Sequence, residues 1–127
     1  MSLPVDPKER KRVPLSQVFS YFESALIGLA QVIEAGKVQH QTIGWARDKS
    51  TDHPDALLRH LIDRDSVDVD GIPHVDKVLW RAAALSQEWH EKNGARLAPA
   101  SVFSEPKVES KQLELPFTGY PYPPVKK

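Results

Sequence analysis

The apolar positions of this chain recur at helical spacing in three separate stretches. The first stretch follows Pro14 and Ser16, which are helix start signals, and stops at Gly36. Its apolar side chains fall on one face and are Val18, Phe19, Phe22, Leu26, Leu29, Val32 and Ile33. The spacing predicts one continuous first helix whose apolar face packs into the core.

The second and third stretches have start and stop signals of their own. Asp52 as N-cap and Pro54 in the first turn begin a short second helix. Pro73 begins a third helix, which stops at Asn93 and Gly94. No alternating pattern typical of strands competes with these periods. The sequence therefore predicts an all-α fold, a small bundle of three main helices with an extended proline-rich C-terminal arm.

Composition divides the chain into a leader, a domain and a tail. Residues 1–15 are a charged leader, residues 16–94 hold the helices, and residues 95–127 hold more than half of the 11 prolines and no helical stripe. The last segment is thus expected to be a tail or a wrapping arm. Three short helices make a thin core, so we expect apolar helix faces to be buried in a homo-oligomer.

Charge and cysteine content narrow the kinds of function. Lys plus Arg and Asp plus Glu both number 17, so a net charge of zero gives no support to direct nucleic-acid binding. The absence of cysteine removes disulfides and thiolate chemistry and fits a reducing cytoplasm. No stretch approaches membrane-spanning length. We expect a cytoplasmic protein, without a membrane partner, whose chemistry depends on Asp, Glu, His, Lys or Arg.

The loop between the second and third helices concentrates acids. Asp65, Asp68 and Asp70 repel one another unless water screens them or a cation, a basic group or a phosphate-bound metal compensates. Removing them without metal is therefore expected to be neutral or slightly stabilising. His60 precedes this loop and His74 follows it.

The third helix places bases beside these acids. His74, Lys77 and Arg81 lie on one helical stripe, and Arg59 and His60 arrive from the second helix. Acids on one side and bases on the other suit a metal-bound polyphosphate. The alternative is a solvated acidic loop beside a helix whose wet face carries Lys77 and Arg81.

Four segments in order carry a resemblance to a known family. They are EAGKVQHQTIGW, which includes His40 and the loop residue Trp45, then ALLRHL, an acidic segment that closes on GIPHV, and VLWRAAAL. Together they resemble the phage-associated dATP/dGTP diphosphohydrolase N-terminal domain family, a branch of the MazG-like all-α nucleotide pyrophosphohydrolases. The family's Gly-Glu before the acidic motif is absent here.

The resemblance implies hydrolysis of a dNTP to dNMP and pyrophosphate, which adjusts nucleotide pools in the cytoplasm, that of a bacterial host if the chain is phage-encoded. It implies Mg²⁺ or Mn²⁺, with the metal ligands Asp68, Asp70, Asp76 and Glu34. The implied catalytic residues are Arg59, His60 and His74. The implied substrate-binding residues are Lys77, Arg81, His40 and Trp45, the last of which stacks on a base or simply covers the core.

The alternative is a catalytically degenerate relative that acts as a nucleotide-binding or protein-interaction module. Helix one has only Glu23 and Glu34, which do not match the Glu-x-x-Glu spacing of the larger group. Convergence of at least three carboxylates on one point would distinguish the enzyme from such a module.

The tail has a signal of its own. QLELPF, residues 112–117, resembles the bacterial sliding-clamp-binding peptide. The expected partner-binding residues are Gln112, Leu113, Leu115 and Phe117, with the apolar members in a groove and the amide at its edge. The alternative is an arm that folds back over the thin core or a neighbouring subunit.

Overall fold

A computed structural model of the chain describes residues 1–104, and the following elements are found within that range. The helices are α1 (Pro7–Arg10), α2 (Leu15–Tyr21), α3 (Glu23–His40), α4 (His53–Ile62) and α5 (His74–Lys92). Two two-residue strands, β1 (Trp45–Ala46) and β2 (Ser101–Val102), pair in parallel. The predicted all-α fold, a small helical bundle, is confirmed.

The prediction of one continuous first helix that ends at Gly36 is wrong. Phe22 leaves the helical region, with φ −133° and ψ 43°, and the axis turns by 84° there. The residues at the break are Ser, Tyr and Phe, which are weak helix formers. Gly36 is tolerated inside α3, since one glycine costs only about 1 kcal/mol. The helix instead ends at Gln41, whose left-handed φ of 52° closes the last turn.

The other two predicted helices begin where predicted, and the last of them also ends where predicted. Asp52 is the N-cap position of α4, Pro54 lies in its first turn, and α5 runs from after Pro73 to Asn93. α5 packs mainly against α4 and also against α3. The close approach of α3 depends on Gly28, because a Cβ there would lie 2.5 Å from a carboxylate oxygen of α5. This packing places α5 at the centre of the bundle.

The first part of the proline-rich segment folds back onto the bundle. β2 pairs with β1, with Trp45 opposite Ser101. The Glu91 carboxylate on α5 accepts hydrogen bonds from Arg47 at 2.5 Å and from the Ala98 backbone N–H at 2.8 Å. These bonds, the one from Arg47 foremost, lower the pKa of Glu91 to about 2. The strands were not predicted, because two residues are too few to show an alternating pattern.

The core is as thin as expected. The buried apolar residues of the described chain are Ala56, Ile72 and Ala84. Large apolar side chains on α2 and α3 are exposed, and they are Leu15, Val18, Phe19, Tyr21, Ile27, Ile33 and Val38, with Phe22 between the two helices. No described helix is by itself long and apolar enough to cross a membrane, although the bent pair Pro7–Tyr21 and Glu23–His40 passes that test when joined.

Candidate functional site

The acidic loop forms a tight hairpin before α5. The Asp68 N–H donates to the Ile72 carbonyl at 2.9 Å, and the His74 N–H donates to the Ser66 carbonyl at 3.1 Å. The turn requires Gly71, whose φ of +83° is unfavourable for other residues. The hairpin thereby brings its carboxylates to the first turns of α5.

Lys77 of α5 neutralises the two inner acids of this hairpin. Its Nζ lies 2.6 Å from Asp68 Oδ2 and 2.8 Å from Asp70 Oδ2. The hydrogen bond from Lys77 lowers the pKa of Asp68 to about 2 and also lowers the pKa of Asp70. Burial alone would lower the pKa of Lys77, but the two bonds outweigh it and raise that pKa. Because a basic group compensates these acids, we now expect their removal to destabilise the protein.

Two histidines meet beside this ion pair. Nδ1 of His60, in the last turn of α4, lies 2.9 Å from Nδ1 of His74, so one nitrogen carries the hydrogen and the other accepts it. His74 Nδ1 also lies 3.9 Å from Asp68 Oδ2. Burial, followed by the charge of Lys77, lowers the pKa of His60. The imidazole of His60 is therefore neutral at pH 7, the form that binds metals.

His60, His74 and Asp68 form a cluster that is able to hold a metal ion. One ligand atom from each lies within 4.8 Å of the others. The donor set has two imidazole nitrogens and one carboxylate oxygen. Mg²⁺ prefers six oxygen ligands, so this cluster does not fit the Mg²⁺ that the family resemblance implies. Asp70 remains beside it, held by Lys77.

Three predicted site residues lie away from this cluster. Asp76 lies at the α3 interface, against Gly28. Glu34 is exposed and pairs with Lys37 at 3.3 Å. Arg59 is largely exposed and its guanidinium lies 2.8 Å from Asp52. Among residues 1–104, no group of three carboxylates converges on a metal-sized point, because the helices that carry these acids present them on different sides.

A cavity of about 360 Å³ opens next to the cluster, between α3, the loop before α4, and α5. Its walls combine apolar side chains with two indoles, three cationic groups and two histidines. The aromatic, cationic and histidine residues of the lining are Lys37, His40, Trp45, His60, Lys77, Trp80 and Arg81, with Asp70 at the hairpin side. Four of the predicted substrate-binding residues, His40, Trp45, Lys77 and Arg81, therefore line one cavity.

Arg81 is held in place rather than solvated. Its guanidinium donates to Ser50 Oγ at 2.7 Å and to His53 Nδ1 at 3.0 Å. His53 is 2% exposed, and its Nε2 lies 3.3 Å from Glu88. Because Nδ1 accepts from Arg81, Nε2 carries the hydrogen toward Glu88. The side chains of Lys77 and Arg81 are each 18% exposed, so the alternative of a wet helix face is wrong.

Trp45 both fastens its loop and lines the cavity. Its ring packs edge-on against Trp80 at a centroid distance of 5.8 Å, and the Arg47 guanidinium lies 3.6 Å from its centroid. Its indole Nε1 is buried and has no acceptor among the described residues. The two roles proposed from the sequence are thus compatible.

Sequence reasoning missed several cavity residues. Lys37 was overlooked because α3 was expected to stop one residue before it, although its spacing from His40 places both on one face. Trp80 was overlooked because it precedes Arg81 and falls outside the apolar stripe of α5. Nothing in the sequence distinguishes His53 from an ordinary first-turn residue. The tail residues Gln112, Leu113, Leu115 and Phe117 lie outside the described residues.

No family model matches this chain, and no curated protein or solved structure matches it significantly.

Proposed function

We propose that this chain binds a dNTP in the cavity beside the His60, Asp68 and His74 cluster and hydrolyses it to dNMP and pyrophosphate with a divalent metal ion. The observation that carries the proposal is the combination of indole walls, partly buried cations and a metal-capable cluster around one cavity. The sequence resemblance to MazG-like pyrophosphohydrolases supports the same reaction.

The cavity has the size and chemistry for a nucleotide. About 360 Å³ lies within the range of small-molecule sites, about 300 to 1,000 Å³. The rings of Trp45 and Trp80, which both line the cavity, offer a surface for the base. Arg81 is already oriented by Ser50 and His53, so little side-chain entropy is lost when it contacts a phosphate.

The reaction needs charge stabilisation and a proton acceptor. Arg81 and Lys77 would stabilise the negative charge that accumulates on the departing pyrophosphate. His60 and His74 would hold the ion, so the proton of the attacking water would pass to a phosphate oxygen of the substrate or to solvent. A divalent ion, when bound, supplies polarisation of the phosphate oxygens.

A second candidate is a nucleotide-binding module without hydrolysis. It is favoured because, among residues 1–104, the three converging carboxylates that would indicate the enzyme are absent: the metal-capable cluster has one carboxylate, and Lys77 pairs with both hairpin acids. Such a module would bind the same dNTP in the same cavity and act through a partner.

The experiment measures binding and turnover separately. The four dNTPs are titrated by calorimetry and incubated with Mg²⁺, Mn²⁺ or Zn²⁺ while pyrophosphate release is followed. Arg81→Ala should weaken binding or lower kcat by about tenfold or more, because a buried cation is removed. Arg64→Ala, at an exposed arginine that donates to the Leu61 carbonyl, is the matched control. Binding without release selects the second candidate, and absence of both rejects the proposal.

Partners and location are further parts of the proposal. The exposed apolar residues of α2 and α3 support a homo-oligomer, which light scattering of the full chain tests.

The segment from Gln112 to Phe117 is proposed to bind a bacterial sliding clamp in the cytoplasm. Leu115→Ala combined with Phe117→Ala should abolish that binding while pyrophosphate release is retained, and loss of the oligomer instead would indicate a structural arm.

A further inference from the structure

We propose that His60, His74 and Asp68 bind a first-row transition-metal ion of the Zn²⁺, Co²⁺ or Ni²⁺ type, in preference to Mg²⁺. The inference deepens the proposed function, since it identifies the metal of that site. Metal binding is measured without nucleotide, so each of the two proposals is able to fail while the other stands.

The kinds of donor atom in the cluster determine which metal ion it prefers. Two imidazole nitrogens and one carboxylate oxygen suit borderline ions such as Zn²⁺, whereas Mg²⁺ requires near-octahedral oxygen ligands. Two nitrogens bound to one tetrahedral Zn²⁺ at about 2.0–2.1 Å lie about 3.3 Å apart. The two Nδ1 atoms are already 2.9 Å apart. To hold such an ion the pair has to open by a few tenths of an ångström, and the hydrogen between the two Nδ1 atoms has to move to a ring Nε2, so that both lone pairs turn toward the ion.

The scaffold holds the ligands before any ion binds. His60 lies near the end of α4 and His74 is the first residue of α5, which packs against α4. Asp68 is fixed by its own turn, where Oδ1 accepts from the Val69 N–H at 2.7 Å and its N–H donates to Ile72. Its Oδ2, 3.9 Å from His74 Nδ1, has to move by about 1 Å to share an ion with both histidines.

Three protein ligands leave at least one position on the ion open. Structural zinc sites have four protein ligands, whereas catalytic sites have three and keep one for water or substrate. His60 lines the cavity assigned to the nucleotide. An open position on this side would face a phosphate oxygen or the attacking water, which is the arrangement that hydrolysis requires.

Lys77 competes with the ion for the same oxygen. Its Nζ is 2.6 Å from Asp68 Oδ2. A metal ion bound to that oxygen would lie close to the Lys77 ammonium, and the two positive charges would repel each other strongly. Metal binding therefore displaces Lys77 from Asp68 and leaves it with Asp70, 2.8 Å away. The unusual consequence is that removal of a cationic residue, Lys77→Met, should tighten metal binding.

The test is calorimetric titration of the full-length, chelator-treated protein with Zn²⁺, Co²⁺ and Mg²⁺, with the visible absorption of bound Co²⁺ as a second readout. We expect one Zn²⁺ or Co²⁺ per chain and no saturable Mg²⁺ binding at millimolar concentration. His60→Ala and His74→Ala should weaken Zn²⁺ binding by about 100-fold and remove the Co²⁺ spectrum. His40→Ala, at a histidine of the same cavity outside the cluster, should leave both unchanged.

Lys77→Met distinguishes a direct effect on the metal site from misfolding, because a misfolded variant would not bind the metal ion more tightly. We expect its Zn²⁺ affinity to rise by about tenfold or more. Unchanged Zn²⁺ binding in His60→Ala and His74→Ala, weaker binding in Lys77→Met, or Mg²⁺ binding as tight as Zn²⁺ binding would each overturn the inference. If Zn²⁺ binds as expected but no dNTP is hydrolysed, only the proposed function fails.

Discussion

Replacement of Asp68 by asparagine should destabilise the metal-free protein at neutral pH. The substitution keeps an oxygen for the Val69 N–H but removes the charge that Lys77 contacts at 2.6 Å. Lys77 retains Asp70 as its partner. The effect of the substitution is therefore the loss of one charged hydrogen bond rather than of the whole hairpin.

The magnitude follows from the pKa of Asp68, which the Lys77 hydrogen bond, followed by the bond from the Val69 N–H, lowers from 3.8 to about 2. At 1.36 kcal/mol per pKa unit, the shift corresponds to about 2 kcal/mol. The Asp68 side chain is 22% exposed, so water weakens the interaction. We expect Asp68→Asn to lower the free energy of unfolding at pH 7 by about 1–2 kcal/mol.

The same argument sets the pH dependence. A carboxyl whose pKa is lower in the folded than in the unfolded state stabilises the protein above the unfolded pKa of about 3.9. This contribution is lost as the pH falls through the folded pKa of about 2. The difference between wild type and Asp68→Asn should thus be complete at pH 6 to 7 and shrink between about pH 4 and pH 2.

The assay is urea unfolding followed by circular dichroism, at several pH values with chelator present. Asp65→Asn is the control, because Asp65 lies in the same loop, is exposed, and has no side-chain partner among the described residues. It should change stability by less than about 0.5 kcal/mol. Equal stabilities of wild type and Asp68→Asn at pH 7, or a difference that persists undiminished at pH 2, would refute the Lys77 assignment.

The remaining predictions concern helix packing, a turn and an ion pair, and the free energy of unfolding in urea is the quantity measured for each. Gly28→Ala should cost about 1 kcal/mol, because its Cβ displaces the Asp76 carboxylate, whereas Gly36→Ala should stabilise by about 0.5–1 kcal/mol, since no atom lies within 4 Å and alanine favours the helix. An inverted order would contradict the α3 and α5 packing. Gly71→Ala should cost about 1–2 kcal/mol through its φ of +83°, and an unchanged stability would argue against this turn. Glu91→Gln should destabilise at pH 7 by about 1–3 kcal/mol, with the difference fading between about pH 4.5 and pH 2; a constant difference would argue against the Arg47 contact.

Local signals predicted the parts of the fold that are determined locally. The start of α4 followed from Asp52 and Pro54, and both ends of α5 followed from Pro73 and Asn93, because caps and prolines act within one helical turn. The break at Phe22 did not follow, since no glycine or proline marks it and the apolar spacing continues across it. Helix propensity near this point is weak, and tertiary packing determines whether the helix bends.

The sequence indicated which residues lie at the site better than it indicated which of them contact one another. Helical spacing placed Lys77 and Arg81 on one stripe, and both line the cavity. Spacing did not show that these two residues, four positions apart on α5, have different partners. Lys77 contacts the hairpin acids, whereas Arg81 contacts His53. These partners come from the loop and from α4, and their positions depend on how the helices pack.

The ion pairs that Lys77 forms with Asp68 and Asp70 affect the free energy of binding that the proposed ligands would have. The metal ion and the phosphate that we propose to bind here would not meet free charges, because Asp68, Asp70 and Lys77 already neutralise one another. Either ligand alone has to separate part of this ion pair, which lowers its affinity. Under the proposed function, a metal ion that takes Asp68 would leave Lys77 with Asp70 alone and freer to contact a phosphate, and a phosphate that takes Lys77 would free Asp68 for the metal. Each ligand thereby reduces the cost of binding the other, and thermodynamic linkage requires this coupling to be equal in both directions.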